Sequence, residues 1–154
     1  MTESPRPLHW KLVVDAADPH AQAAFWAAAL GYEIEDNDAL ITRLLGFGAV
    51  TEEQTVTARG RRAWRDLVAV RHPEDPYDAE SGTGLGRRVL FQRVPEPKTG
   101  KNRLHIDVHT SGEDREAEVA RLTGLGASVD RRVTEPAGGW VVMSDPEGNE
   151  FCLH

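Results

Sequence analysis

Apolar and polar residues alternate at the start of the chain. From Leu8 to Asp15 every second side chain is bulky and apolar, and the positions between them include His9 and Lys11. A period of two is typical of a β-strand with one buried face. We therefore expect a first strand here, with His9 and Lys11 on its polar face.

A helical pattern follows this strand. Asp18 is suited to cap a helix, and Pro19 to occupy the first turn, where a missing backbone N–H has no cost. Gly31 is suited to end the helix, because glycine readily adopts the left-handed conformation. The pattern predicts a helix over 18–30 and a short strand over 32–35.

The second half of the chain repeats this order. Residues 103–109 alternate like a strand, and Ser111 with Asp114 forms a capping-box pattern before a helix predicted over 113–125. Gly126 is suited to end that helix. The remaining segments are a strand at 127–133 and a terminal hairpin, in which 140–143 and 151–153 flank a turn at 145–149.

Each half therefore has the order β-α-β-β-β, which indicates an internal duplication. We expect a single α+β domain over 1–154, with module one at 8–94 and module two at 102–154. Residues 37–86 interrupt module one as an insertion. The two long helices are expected to pack outside the sheets.

The insertion is less regular. It contains a possible short helix at 39–45, strand fragments at 55–57 and 67–70, a basic run at 59–65 and a loop at 72–86 rich in proline and glycine. Trp64 lies within the basic run, and an aromatic side chain in a polar loop can form the wall of a pocket. A solvated face is the alternative, because acidic residues balance the arginines.

Composition narrows the classes of partner. The net charge of −7 and the pI near 5.3 argue against binding to nucleic acid or to an anionic membrane. The single Cys152 excludes an internal disulfide and fits a reducing compartment. Neither a signal peptide nor a long apolar segment is apparent, so we expect a soluble cytoplasmic protein.

Three motifs accompany the duplication. They are Asp18-Pro19 followed by Phe25-Trp26 and Leu30-Gly31-Tyr32, then Arg103-Leu-His-Ile-Asp-Val108, and finally Asp145-Pro-Glu-Gly-Asn149. Together they resemble the vicinal oxygen chelate superfamily, which includes glyoxalase I, bleomycin-resistance proteins, fosfomycin-resistance enzymes and extradiol dioxygenases. Residues 91–97 resemble a glyoxalase-like branch of it. The resemblance implies two modules that form a curved, half-barrel mixed sheet around a shared cavity.

The resemblance also implies where a metal would bind. Metal-dependent members place one ligand on each of their first, fourth, fifth and eighth strands, and the ion acts as a Lewis acid on neighbouring substrate oxygens. In strict register these positions are occupied here by Lys11, Gln92, His105 and Cys152. A lysine ammonium is not a metal ligand unless burial removes its proton, so this set departs from the metal pattern.

A shift of two residues on two strands gives another set. His9, His105 and Glu150 would then share the inward face, a two-histidine, one-carboxylate arrangement that suits Fe, Mn, Ni or Zn. We expect no resident metal, and this set is the alternative. Structural roles also stay open: His105 as a hydrogen-bonded core histidine, and Cys152 as a small buried hydrophobe.

Two functions from different classes fit these observations. One is an enzyme of the lyase, isomerase or dioxygenase type that acts on a small oxygen-rich or anionic molecule in the cavity between the modules. The other is a non-catalytic protein that sequesters a drug, as bleomycin-resistance proteins do. The pocket candidates are Lys11, Trp64, Gln92, His105, Glu150 and Cys152. The superfamily commonly completes its cavity between two chains, so we expect a homodimer.

Overall fold

A computed structural model describes residues 3–111 and 114–154. Within these ranges, ten strands and three α-helices follow one another. They are β1 (Leu12–Ala16), α1 (Pro19–Leu30), β2 (Glu33–Ile34), α2 (Asp38–Gly46), β3 (Thr55–Ala58), β4 (Arg61–Trp64), β5 (Leu67–Arg71), β6 (Arg88–Arg93), β7 (Ile106–Val108), α3 (Arg115–Leu125), β8 (Ser128–Glu135), β9 (Gly138–Ser144) and β10 (Glu150–Leu153).

Of the ten strands, β3 and β4 form a separate two-stranded sheet, and the other eight form two equivalent four-stranded sheets. Their orders are β1-β6-β5-β2 in module one and β7-β10-β9-β8 in module two. In each sheet the first strand runs parallel to the last strand of its module, and the other pairs are antiparallel. The sheets stay open and curved, so the predicted α+β fold with two β-α-β-β-β modules is confirmed.

The first helix lies close to its predicted limits. Asp18 Oδ1 accepts a hydrogen bond from the Ala21 amide at 3.1 Å, and Gly31 ends the helix in the left-handed conformation with φ of 69°. The start of α3 differs from the start that the sequence pattern predicts. Asp114, not Ser111, is the capping residue, because its side chain accepts from the Glu116 amide. The predicted start at residue 113 lies outside the described residues.

Two predicted strands are shorter in the structure. β1 begins at Leu12, so His9 and Lys11 precede it. β7 covers only Ile106–Val108, and His105 and His109 flank it. These ends lie at the edges of their sheets, where fewer ladder hydrogen bonds hold the backbone extended.

One core joins the two modules. α1 packs on β5 and β6, and its Trp26 makes an edge-to-face contact with Phe151 of β10, with ring centroids 5.1 Å apart. Phe91, Leu122 and Met143 are buried in the same cluster. The helices therefore cover one face of both sheets.

The insertion covers part of the second face of module one. Val68 and Val70 of β5 point into the core, so Ala69 and Arg71 point the opposite way. Ala69 is nevertheless buried, and the Arg71 guanidinium lies 4.0 Å from the centre of the Tyr77 ring. The insertion therefore packs against the outward face of the sheet in module one. The equivalent face of the sheet in module two is exposed to solvent.

The basic run of the insertion forms a strand, which the sequence pattern did not predict. β3 and β4 make a two-stranded hairpin, and Arg59 and Gly60 form its turn with positive φ. Arg61 pairs with Asp36, and Arg62 pairs with Glu52.

No helix in 3–111 or 114–154 has the length and apolarity required to cross a bilayer.

Candidate functional site

The open face of module two presents the strongest cluster of reactive side chains. Ile106, Val108, Phe151 and Leu153 point into the core, so the residues between them point outward. Asp107 and Cys152 are direct cross-strand neighbours in the parallel register of β7 and β10. This register brings together residues 45 positions apart, which no local pattern could indicate.

His105, Asp107 and Cys152 form the centre of this face. Their potential ligand atoms all lie within 4.8 Å of one another. His105 Nε2 is 3.2 Å from Asp107 Oδ1, and the two side chains are 47% and 48% exposed, so solvent or a ligand can reach the pair. His154 Nε2 lies 3.7 Å from the other Asp107 oxygen.

The Cys152 side chain is a thiol in this environment. Burial raises the pKa of Cys152 above its ordinary value, and the Asp107 carboxylate adds to this effect by repulsion and by accepting a hydrogen bond. The thiolate is the nucleophilic form of cysteine. The geometry therefore does not favour Cys152 as a nucleophile.

Three rings form the next row of the same face. His109 stacks on His154 with centroids 4.9 Å apart, and His154 stacks on Trp140 with centroids 5.9 Å apart. The interplanar angles are 22° and 27°. The row therefore lies across the ends of β7, β10 and β9.

A first cavity of about 840 Å³ opens at the seam between β1 and β7. His105 and Glu150 both line it, together with apolar residues that include Val13 and Leu104. Lys98 Nζ is 3.0 Å from Glu150 Oε1, and the Asn102 amide donates to Glu150 Oε2 at 3.2 Å.

The Glu150 carboxylate is held in its charged form. Burial acts to raise the pKa of Glu150, but the hydrogen bonds from Lys98 and the Asn102 amide outweigh it and leave the pKa below the ordinary value. The Lys98 ammonium therefore already balances the negative charge of the Glu150 carboxylate. Through its contacts with Lys98 and Asn102, Glu150 fixes the position of the segment that links the modules.

A second cavity of about 1090 Å³ opens at the other end of the seam. Lys11, Trp10 and His109 line it, and so does Asp107. Asp107 therefore lines the second cavity and contacts His105, which lines the first.

The structure distributes the predicted pocket residues unequally. His105 and Glu150 line the first cavity, whereas His9 and Lys11 line the second. Cys152 is the cross-strand neighbour of Asp107, and Asp107 contacts His105. Gln92 and Trp64 line neither cavity; Gln92 is exposed on β6, and the Trp64 carbonyl accepts a hydrogen bond from His20 Nε2 at 2.9 Å.

The alternative metal set does not converge within the chain. Among residues 3–111 and 114–154, the metal-capable group is His105, Asp107 and Cys152, and neither His9 nor Glu150 belongs to it. The strict-register set also fails to converge, because Lys11 lines the second cavity and Gln92 lies elsewhere. Neither complete set therefore converges within this chain, although His105 and Cys152 of the strict-register set meet beside Asp107.

The sequence pattern anticipated part of this cluster. The alternation through β7 already places Asp107 and His109 on the face of His105. Trp140 and His154 were not anticipated. Only the register of β10 against β9 and β7 brings them to the same row.

The duplicated fold and the polar face beside an inter-module cavity define a protein of the glyoxalase type. The glyoxalase-like domain family matches residues 11–154, so the chain belongs to that family. This confirms the resemblance to the vicinal oxygen chelate superfamily. No curated protein matches the sequence.

Solved structures share the fold at low sequence identity. The fosfomycin resistance protein FosX from Mesorhizobium loti is 10% identical with a TM-score of 0.60, covering 97% of this chain and 92% of that one. The bleomycin-binding protein from Streptomyces verticillus, complexed with copper(II)-bleomycin, is 16% identical with a TM-score of 0.51, covering 97% and 96%. A mutant FosX from Listeria monocytogenes, complexed with Mn(II) and 1S,2S-dihydroxypropylphosphonic acid, is 12% identical with a TM-score of 0.56, covering 94% and 86%. At such identities these structures show the fold alone.

Proposed function

We propose that this protein binds a small oxygen-rich molecule in the first cavity, with His105 as the recognition residue. One observation carries the proposal: the half-exposed His105 side chain lines the cavity and is bound to Asp107 at 3.2 Å. Polar groups placed on an apolar cavity wall are typical of small-molecule sites.

The His105–Asp107 pair also has acid–base capacity. His105 Nε2 lies 3.2 Å from Asp107 Oδ1, so the two side chains form an ion pair when the imidazole is protonated. A neutral imidazole has one acceptor nitrogen, which can take a proton from a ligand hydroxyl or from a carbon next to a carbonyl. A carboxylate that orients an imidazole and stabilises its charged form is a recurrent device for proton transfer. This supports chemistry of the isomerase or lyase type over simple sequestration.

A ligand screen tests the proposal. Polyols, hydroxy acids and diols are titrated by calorimetry into wild type, His105→Asn and Asp107→Asn, and turnover is followed by NMR. We expect binding that falls at least about tenfold in both variants, which corresponds to loss of one good hydrogen bond. His9→Asn, a histidine outside the first cavity, is the matched control. Unchanged binding in His105→Asn would refute the proposal.

The same experiment separates the enzyme from the sequestering protein. Turnover that disappears in His105→Asn supports the enzyme. Binding without turnover for every ligand supports the sequestering protein; a bleomycin-binding protein is among the structural relatives.

A divalent cation at His105, Asp107 and Cys152 is a second candidate function. The convergence of imidazole, carboxylate and thiol within 4.8 Å favours it, and this donor set suits zinc. A bound ion would supply Lewis acidity and would require the Cys152 thiolate. We expect that zinc binding, measured by calorimetry, would be lost in Cys152→Ser and retained in Glu150→Gln. Equal binding by wild type and Cys152→Ser would exclude this site.

A further inference from the structure

We propose that the second cavity, at the other end of the seam, is a separate binding site for an aromatic carboxylate. It takes the ring of the ligand between aromatic side chains and the carboxylate on Lys11. The site involves neither His105 nor the first cavity. Asp107 lines this cavity as well as contacting His105, so the test below uses variants of Lys11, His109 and His105 to separate the two sites.

The aromatic character comes from His109 and Trp10. His154 covers one face of the His109 ring. Because β7 is the edge strand of its sheet, no strand covers the other side, and His109 lines the second cavity. Trp10 lines the same cavity and is 80% exposed. A flat ring can therefore extend the stack that Trp140, His154 and His109 begin.

The charge preference comes from Lys11. Other charged groups of this cavity have partners: Arg87 binds Asp75 at 2.8 Å, Arg88 binds Glu35 at 2.7 Å, and Glu118 binds Arg121 at 2.8 Å. Asp107 also lines this cavity; its carboxylate lies 3.2 Å from His105 and 3.7 Å from His154, and within the described residues it makes no ion pair with Lys11. Within the described residues Lys11 has no ion-pair partner. An anionic ligand would supply the counter-charge that the protein leaves out.

Apolar side chains support a ring rather than a polyol. Leu12, Leu30 and Val108, which are only partly buried, line the cavity between the charged groups. Burial of a ring against such side chains is favourable by about 25 cal/mol per Å² of apolar surface. A cationic aromatic ligand would instead be repelled by Lys11, so the site selects an aromatic acid.

Benzoate is the probe, with cyclohexanecarboxylate as the non-aromatic comparator and benzamide as the neutral one. Affinity is measured by calorimetry, and the indole N–H resonances of the tryptophans are followed by NMR. We expect benzoate to bind at least about fivefold tighter than either comparator, from ring stacking and charge respectively. The Trp10 resonance should shift while that of Trp64, which lines neither cavity, should not.

Variants locate the two parts of the site. Lys11→Met should weaken benzoate at least about tenfold and leave benzamide unchanged, whereas Lys101→Met, an exposed lysine outside both cavities, should match wild type. His109→Leu should remove the preference for benzoate over cyclohexanecarboxylate. His105→Asn should leave benzoate binding unchanged, so that failure of the first-cavity proposal is separable from failure of this one.

Three results would overturn the inference. They are equal affinities for benzoate and cyclohexanecarboxylate, equal effects of Lys11→Met and Lys101→Met, and no detectable benzoate binding. A Trp10 resonance that shifts with protein concentration and not with benzoate would also count against it, because a second copy of the chain would then cover the groove.

Discussion

Asp145 shows how one residue of a turn can join two modules. Its carboxylate is buried and accepts from Gln22 Nε2 at 2.7 Å and Trp26 Nε1 at 3.0 Å, both on α1. It also accepts from the amides of Glu147 and Asn149 in its own turn. The turn of residues 145–149 therefore has a structural role: it fixes β10, and with it the polar face, relative to α1.

We predict that Asp145→Ala lowers the free energy of unfolding by about 2–4 kcal/mol, because the donors of Gln22 and Trp26 lose their buried acceptor. Urea denaturation of wild type and variant measures the change. Asp130→Ala removes a more exposed carboxylate that accepts from Ser144, and it should change stability by less than about 0.5 kcal/mol. Similar losses in both variants would contradict this role.

A second prediction at this scale concerns Cys152. Because burial and Asp107 raise the pKa of its thiol, we expect iodoacetamide to modify Cys152 more slowly than free cysteine at the same pH. Asp107→Asn removes the negative charge and should increase the rate. Modification as fast as that of free cysteine would show that the thiol is not held in this way.

At the scale of elements, a buried ion pair fixes the 72–87 loop on module one. Arg88 donates from Nε and Nη2 to the two oxygens of Glu35 at 2.7 and 2.8 Å, and the Gly84 amide donates to Glu35 at 2.7 Å. A side chain at position 84 would meet Arg71 and Glu35 at 3.0 and 3.1 Å. Glycine at position 84 therefore allows this close approach without displacing the Arg71 or Glu35 side chain.

We predict that Arg88→Met destabilises the protein by about 3–5 kcal/mol, since it leaves the buried Glu35 carboxylate without its counter-charge. Arg132→Met, which breaks an exposed pair with Glu116, should have a much smaller effect, because solvent screens exposed pairs. Thermal or chemical denaturation compares the two. An equally small effect of both would mean that Glu35 is hydrated in solution.

The same loop predicts a pH dependence. The Arg87 side chain and amide hydrogen-bond Asp75 and hold the pKa of that carboxyl well below its usual range. Because the folded pKa is lower than the unfolded value of about 3.9, the stabilisation is present at neutral pH and is lost only as the pH falls through the folded value. NMR titration should show Asp75 still ionised at about pH 3, and Arg87→Ala should raise that pKa only partly towards the ordinary value, because the amide of residue 87 still donates to Asp75. Titration of wild-type Asp75 near 3.9 would contradict this.

At the scale of the whole molecule, the helices hold the modules together. Arg121 of α3 donates to the carbonyl oxygens of Ala28 and Ala29 at 3.0 and 2.9 Å, which lie at the end of α1. A cationic side chain at a helix C-terminus satisfies the last carbonyls and complements the helix dipole. The two sheets therefore keep a fixed relation without hydrogen bonds between β1 and β7.

We propose that the protein is a homodimer, because the sheet faces opposite the helices remain exposed at Val13, His105 and Asp107. Sedimentation at micromolar concentration should give about twice the 17.0 kDa of the chain. Val13→Glu, a charge on the exposed apolar position of β1, should shift the equilibrium towards monomer. Sedimentation of wild type as a 17.0 kDa species would refute the proposal.

The sequence by itself determined the repeated order of elements, the limits of α1 and the faces of the main strands. These follow from local rules: Asp18 and Gly31 fit helix ends by their own conformational and hydrogen-bonding preferences. The alternation around His105 likewise places Asp107 on the same face, because strand side chains have a period of two. Such features need no knowledge of which segments meet in space.

Only the tertiary structure decided which side chains form the candidate site. Strand register sets Cys152 opposite Asp107, and the path of the linking segment brings Lys98 to Glu150. The modules meet at a seam that separates Lys11 from His105 into two cavities. Register and loop path depend on contacts between residues distant in sequence, and a shift of one residue would reverse every strand face. The sequence was sufficient to identify several of the candidate residues. It was not sufficient to identify the residues that they contact.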